Sequence, residues 1–289
     1  MKTKIDFFVP GFSKCGTTTL FRVLNHHPDI FIPEFKEPNY FGNAGGEKKM
    51  EWFDSLYSVA KPGQRKGDCS TFYSSICMEK NASREMFENN PDAKLIFIAR
   101  DPIDRIESSF REMHNSAPKF GLNTPFLLEE ALVQMPQILG DTSYCKRLKP
   151  HRDLFGKKNL LVLFFEEMKT DVTSLADRCY AFLGVSDHTF SLERLPHMNK
   201  GEEKLYDSRL FRWIRCNPIL GIWLSKISIP KQDSIATKLG LRKPFTQPIQ
   251  WSKKARALVK DLLGPDIDAF LDALGETRSR WPRYDALYE

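Results

Sequence analysis

Nine consecutive residues, Gly11-Phe12-Ser13-Lys14-Cys15-Gly16-Thr17-Thr18-Thr19, place one ammonium, three threonine hydroxyls and two glycines between the apolar run Ile5 to Val9 and a helical pattern. A strand, a glycine-bounded turn and a helix N-terminus in series make a cradle for an anion, because N–H groups at a helix start are unpaired and carry the positive end of the dipole. Lys14, Cys15, Gly16, Thr17, Thr18 and Thr19 are the candidate binding positions. The lysine decides which anion. A nucleoside-triphosphate loop of the G-x-x-x-x-G-K-[ST] kind carries lysine directly after its second glycine. Here Thr17 holds that place and Lys14 lies two residues before Gly16, so its ammonium meets the ligand from the other side of the turn.

A second anion site is legible in Leu95 to Ser109, Leu-Ile-Phe-Ile-Ala-Arg-Asp-Pro-Ile-Asp-Arg-Ile-Glu-Ser-Ser. Leu95 to Ala99 reads as a buried strand, and Pro102 suits the first turn of a helix. Arg100 therefore points out from the strand's C-terminal edge, where open α/β sheets bind ligands. Ser108 lies about two turns into that helix. A guanidinium fork and a hydroxyl converging there suit a terminal phosphate.

Lys14-Cys15-Gly16-Thr17-Thr18, with Arg100 and Ser108 farther on, resembles the two donor-binding motifs of sulfotransferases that use 3′-phosphoadenosine-5′-phosphosulfate (PAPS). The stretch Asn25 to Phe41 is similar to the one that follows the phosphosulfate loop in glycosaminoglycan-type and bacterial members, whose Lys-Glu pair falls on Lys36 and Glu37. Lys66 to Tyr73 resembles the family's next strand, but Cys69, Ser70 and Thr71 replace the Lys-Thr-Pro common in the glycosaminoglycan enzymes, so an acceptor held by that lysine is not implied. Asn159 to Phe165 and Glu166 to Val185 look like a later strand, acidic turn and helix, and Asn199-Lys200-Gly201 like a late cofactor loop. The resemblance covers residues 4 to about 200. It implies PAPS as donor, adenosine 3′,5′-bisphosphate as product, Lys14 stabilising the leaving phosphate, and Glu37 as general base toward a carbohydrate or glycolipid hydroxyl, or an amine. Cofactor contacts would come from Lys14 to Thr19, Arg100, Ser108, Lys200 and Gly201.

His26, His27 and His114 compete with Glu37 for the base, since small-molecule sulfotransferases use a histidine. Asp68, Asp101 and Asp104 do not form an obvious magnesium set, and no metal is expected to be needed. Cys15 beside Lys14 is a small residue that fits the turn, or a thiol of lowered pKa. A nucleotide-dependent kinase sharing the opening strand, loop and helix is the rival reading. A non-catalytic binding protein on the same fold is another.

These motifs need a scaffold, and 289 residues suffice for one α/β domain spanning 1–289. Strand-like runs at Ile5–Val9, Lys66–Ser70, Leu95–Ala99 and Leu160–Phe165 alternate with helical patterns, which predicts a P-loop-like central parallel sheet flanked by helices, with residues 201–289 mainly helical. Leu210 to Ile229 reads as two short amphipathic helices; Trp213 and Trp223 among basic residues allow peripheral membrane contact, with packing on the domain the commoner fate. Ser252–Leu263 and Asp266–Leu274 read as a closing helical pair, with Gly264-Pro265 as the stop between them. Trp281 and Tyr284 are the expected anchors of the tail. Six cysteines show no metal or C-x-x-C spacing, which suits reduced thiols in the cytoplasm. The first residues are too short an apolar run for a signal peptide, and no run is long enough for a membrane span. The net charge of +6 admits nucleic acid, but no nucleic-acid motif accompanies it. Oligomeric state is not legible.

Overall fold

A computed structural model describes residues 3–42, 46–186, 188, 204–245 and 247–289. Two apolar runs, Phe7–Gly11 and Lys94–Ala99, become strands buried along almost their whole length, as central parallel strands covered by helices must be. The strands are β1 (Phe7–Gly11), β2 (Ile30–Phe31), β3 (Arg65–Asp68), β4 (Lys94–Ala99) and β5 (Leu160–Phe164), with β6 (Leu205–Asp207) and β7 (Arg242–Pro244) forming a separate antiparallel pair. The helices of the first half are α1 (Thr17–Asn25), α2 (Gly46–Leu56), α3 (Glu79–Asn89), α4 (Pro102–Ser116), α5 (Leu128–Gln134), α6 (Gln137–Gly140) and α7 (Tyr144–Phe155). Those of the second half are α8 (Phe165–Thr170), α9 (Val172–Leu183), α10 (Arg209–Cys216), α11 (Pro218–Ser225), α12 (Ile229–Lys238), α13 (Lys253–Leu274) and α14 (Pro282–Asp285).

The five-stranded sheet is parallel, in the order β2-β3-β1-β4-β5. Phe7 pairs in register with Gly67 of β3 and Lys94 of β4. A Cβ on Gly67 would overlap the Phe7 ring, so the glycine is what lets that ring lie across β3. The chain leaves β1 toward β3 and returns on the other side at β4, so the strand order reverses between β1 and β4. Ligands bind outside the carboxyl ends of strands at such a switch point. Both candidate anion motifs follow the two strands that flank it.

Two aromatic clusters hold the layers together. On one side Phe8, Phe41, Phe53 and Tyr73 meet edge to face. On the other Phe12, Phe97, Tyr144, Phe270 and Trp281 join the sheet to α7, α13 and the tail. Trp281 and Tyr284 are fully buried.

The expected stop at Gly264-Pro265 is not there: α13 runs unbroken from Lys253 to Leu274 with Pro265 inside it. A proline removes one backbone hydrogen bond and disfavours the helix, but tertiary packing outweighs it. Leu263, Ile267, Phe270 and Leu271 are buried, and the Asp266 carboxylate accepts from the N–H groups of Cys145 and Lys146 at the start of α7 (3.0 and 2.9 Å). The Leu210 to Ile229 segment does form two helices, α10 and α11, yet α11 has no buried residue.

Candidate active site

The loop after β1 reaches α1 through Gly16, the N-cap, at φ 95°, a left-handed conformation that glycine adopts without cost. A Cβ there would also come within 2.5 Å of the Phe165 ring. Lys14 sits at φ 68°, rare for a residue with a side chain. Among the described residues the N–H groups of Gly16, Thr17 and Thr18 meet no acceptor, and the helix's own bonds begin with Thr19 and Leu20 donating to Gly16 O. These open donors, with the helix dipole behind them, form an anion cradle. Of the three threonines, Thr17 and Thr19 are buried and Thr18 is exposed. Thr19, with its N–H engaged and its hydroxyl buried, serves the helix.

Of the two readings of Cys15, the small residue that fits the turn agrees with the structure and the thiol of lowered pKa does not. Its side chain is fully buried and its Sγ lies 3.6 Å from Tyr144 Oη, while its N–H donates to Phe12 O. Burial pushes the thiol up rather than down, against the pull of Arg105. Cys15 packs the loop from beneath and faces away from the cradle.

Arg100 emerges where β4 ends. Tyr144 Oη donates to its carbonyl (2.7 Å), and its guanidinium lies over the Phe165 ring at 4.7 Å. From there it donates to the Lys14 carbonyl and to Asp104 Oδ2, each at 3.4 Å. The Lys14 ammonium in turn pairs with Glu112 Oε2 at 2.9 Å. Residues 104, 108 and 112 are spaced by four on α4 and so share one face. Because Asp104 meets Arg100 and Glu112 meets Lys14, the half-buried Ser108 between them lies on the face turned to the loop. Lys14, Arg100 and Ser108 therefore gather at one place, outside the ends of β1 and β4.

Glu112 was not foreseen, and neither was Lys204, whose ammonium shares the same Glu112 oxygen at 2.6 Å. Burial opposes the charge on Glu112, but Lys14 and Lys204 outweigh it and hold the carboxyl well below the usual range. Burial and the like charge of Lys14 bring Lys204 down to about 8. Position 112 carried a signal, one helical turn beyond Ser108. Lys204 had none, since only the tertiary fold returns β6 to α4.

Glu37 stands across the cradle. Lys36 Nζ donates both to Glu37 Oε1 (2.8 Å) and to Thr18 Oγ1 (3.2 Å), tying the carboxylate to the start of α1. Thr71, in the run that departs from the family pattern, brings its hydroxyl to 3.4 Å from Glu37 Oε2. Behind this pair the buried Asp68 accepts from Ser70 Oγ (2.6 Å) and Tyr73 Oη (2.7 Å), and those hydroxyls accept the N–H groups of Asn39 and Tyr40, both at 3.0 Å. The segment after Glu37 is thus pinned to the end of β3.

The histidines stand elsewhere. His27 is buried, with one ring nitrogen against Ser186 O and the other accepting from Asp29 N. His26 meets His188. His114 is buried against Arg212, and burial brings it down to about 3. Asp101 caps α4 and accepts from Arg283 N, so it is occupied structurally, as Asp68 is. Among the described residues no three histidine, cysteine, aspartate or glutamate side chains stand together as a metal cluster. Lys200 and Gly201 lie outside the described residues.

A family model described as a sulfotransferase domain matches residues 4–202. The human bifunctional heparan sulfate N-deacetylase/N-sulfotransferase 3 is 26% identical over 229 residues, covering 72% of this chain and 24% of its own. A membrane-associated sulfotransferase, kil1, of Dictyostelium discoideum is 28% identical over 158 residues, 52% of this chain and 33% of its own. The chain thus spans about a quarter to a third of these relatives' length. The crystal structure of a sulfotransferase from Alicyclobacillus acidocaldarius aligns with a TM-score of 0.64 at 22% identity, over 97% of this chain and 99% of that one, which shows a common fold. With more than half of its residues inside the matched domain, the chain belongs to the sulfotransferase domain family.

Proposed function

We propose that this protein moves the sulfuryl group of PAPS to a hydroxyl or amine of an acceptor, a carbohydrate or glycolipid by likeness to the heparan sulfate relatives. The observation that carries the reading is the face of α4 at 104, 108 and 112, which gathers Arg100, Ser108 and Lys14 around a helix start with open N–H groups. That arrangement suits a donor with a phosphosulfate at one end and a second phosphate at the other. Open cradle donors and a left-handed glycine without a Cβ fit the first group, and Arg100 with Ser108 fits the second.

In this reading Gly16, Thr17 and Thr18 hold the 5′ phosphosulfate through their N–H groups. Lys14, released from Glu112, stabilises charge on the bridging oxygen as its bond to sulfur breaks. Glu37 takes the acceptor's proton while Lys36 and Thr71 orient it. Sulfuryl transfer shares the loose transition state of phosphoryl transfer, so positioning and charge stabilisation contribute most. Lys14, Lys204 and the α1 dipole supply that charge without a metal, and activity is expected to survive excess chelator.

Thermal shift and sulfate transfer test this together. Adenosine 3′,5′-bisphosphate should raise the melting temperature more than ATP with magnesium does. Lys14→Ala should lower kcat by about a hundredfold or more. Glu37→Gln should abolish transfer while the nucleotide's thermal shift persists. A larger shift with ATP and magnesium would favour a kinase, and full transfer by the Glu37 variant would remove it as base.

A further inference from the structure

The helices after β6 are built the wrong way round for a protein that meets only water. Helix α11, Pro-Ile-Leu-Gly-Ile-Trp-Leu-Ser, packs inward through Gly221, where a Cβ would come within 2.9 Å of Arg215 O. The face opposite carries Ile219, Leu220, Ile222 and Trp223, which are 68%, 38%, 66% and 65% exposed. A surface helix ordinarily turns its polar side to solvent. Leu210 and Trp213 of α10, Ile227, and Ile235 and Leu239 at α12 are also exposed, so each of the three successive helices presents apolar side chains to solvent.

Among the described residues of 204–245 the exposed charges are of one sign. Arg209, Lys226, Lys231, Lys238 and Lys243 are all exposed. The acidic side chains of the same stretch are engaged: Asp207 is buried between Arg215 and Arg242, and Asp233 pairs with Arg215, Arg242 and Lys119. Lys226 lies over the Trp223 ring at 4.0 Å, with its ammonium at the edge of the apolar face. Tryptophan with flanking lysine is the chemistry of a lipid headgroup boundary, where the ring enters the interface and the ammonium meets phosphate. A flat acidic protein would satisfy the cations, but it would bury a protruding Ile-Leu-Ile-Trp ridge only if it offered a matching groove. A bilayer needs no matching groove.

We propose that α10, α11 and α12 form a peripheral docking surface for an anionic lipid bilayer, with Ile219, Ile222 and Trp223 inserted at the acyl boundary and Lys226, Lys231 and Lys238 against the headgroups. The inference stands apart from the sulfuryl-transfer reading, since none of these residues belongs to the cradle or to the Glu37 loop.

Flotation of the full chain with vesicles tests it, using phosphatidylcholine alone and phosphatidylcholine mixed with phosphatidylserine. Binding is expected to be at least about tenfold stronger to the phosphatidylserine vesicles and to weaken with added salt. A blue shift of tryptophan emission should accompany it. The double variant Ile222→Ser, Trp223→Ser should lose flotation and the shift, and Lys226→Glu with Lys231→Glu should lose the preference for phosphatidylserine. Both should keep the parent's melting temperature, because Ile222, Trp223, Lys226 and Lys231 are all exposed. Equal binding to the two vesicle types, flotation of the double variant at the parent's level, or no flotation combined with self-association that the double variant abolishes, would each overturn the proposal; the last would assign the surface to a second copy of the chain.

Discussion

Two ammoniums share one carboxylate oxygen at the candidate site, and that fact governs how it meets an anion. Lys14 and Lys204 stand 2.9 and 2.6 Å from Glu112 Oε2. An arriving phosphosulfate competes with Glu112 for both. Burial and Lys14 bring Lys204 down to about 8, so its charge is lost as the pH rises through that value. The affinity for adenosine 3′,5′-bisphosphate should therefore fall by about fivefold to tenfold between neutral and mildly alkaline pH. Calorimetric titration across that range reads the effect. Lys204→Met should bind more weakly at neutral pH and lose the step near 8; a step of unchanged size would place its origin elsewhere. The two anion motifs themselves were readable, because loop and helix-start chemistry is local in the chain. Glu112 and Lys204 lie far apart in sequence, and their pairing depends on how β6 comes back to α4.

At the level of elements, the end of β3 sets the Glu37 segment. Asp68 receives two hydroxyl hydrogen bonds, and each hydroxyl holds a backbone N–H of residues 39–40. Burial lifts the Asp68 carboxyl from 3.8 to about 7, against the lowering pull of Ser70 and Tyr73. Between those values the folded chain keeps a proton that the unfolded chain releases, so this group's contribution to stability falls as the pH rises through the window. Asp68→Asn should flatten that slope in melting temperature against pH. It should also lower kcat by about tenfold or more, with nucleotide affinity retained, since the Glu37 segment loses its anchors while the cradle is untouched. Steady-state kinetics alongside nucleotide titration would check this, and parallel losses of both would mean a general structural defect. The central strands β1 and β4 were legible because their apolar runs are unbroken. The two-residue β2 was too short to read, and Pro265 misled because its local cost is outweighed by contacts made far away in sequence.

Across the whole molecule, the tail closes onto the strand ends that position the site. Trp281 Nε1 donates to Glu166 Oε2 at 3.3 Å, while Asp101 Oδ2 accepts from the N–H groups of Arg283 and Tyr284. The Arg283 side chain reaches Asp104 and Glu107 at 2.5 and 2.6 Å. Trp281 lies fully buried, stacked on Phe270 of α13 at 6.2 Å between ring centres and edge-on to Phe164 of β5. Trp281→Ala should cost about 3–5 kcal/mol, a large share of the stability of a typical domain. Chemical denaturation measures it, and a loss within about 1 kcal/mol would show that the tail is not an anchor. Among the described residues no helix is long and apolar enough to cross a membrane. The exposed ridge on α10 to α12 is a separate matter of surface chemistry.

The cradle loop, the Arg100 to Ser108 spacing, the alternation of strands and helices and the displaced lysine all belong to the sequence alone, because each depends on neighbours within a turn or two of chain. Tertiary structure decided that α4 shows its 104, 108 and 112 face to the loop, that Cys15 turns inward, and that Lys204 joins Lys14 on Glu112. It also decided that α13 survives its proline and that α11 faces outward. Those outcomes balance burial and charge over contacts between distant segments, and no local pattern records that balance.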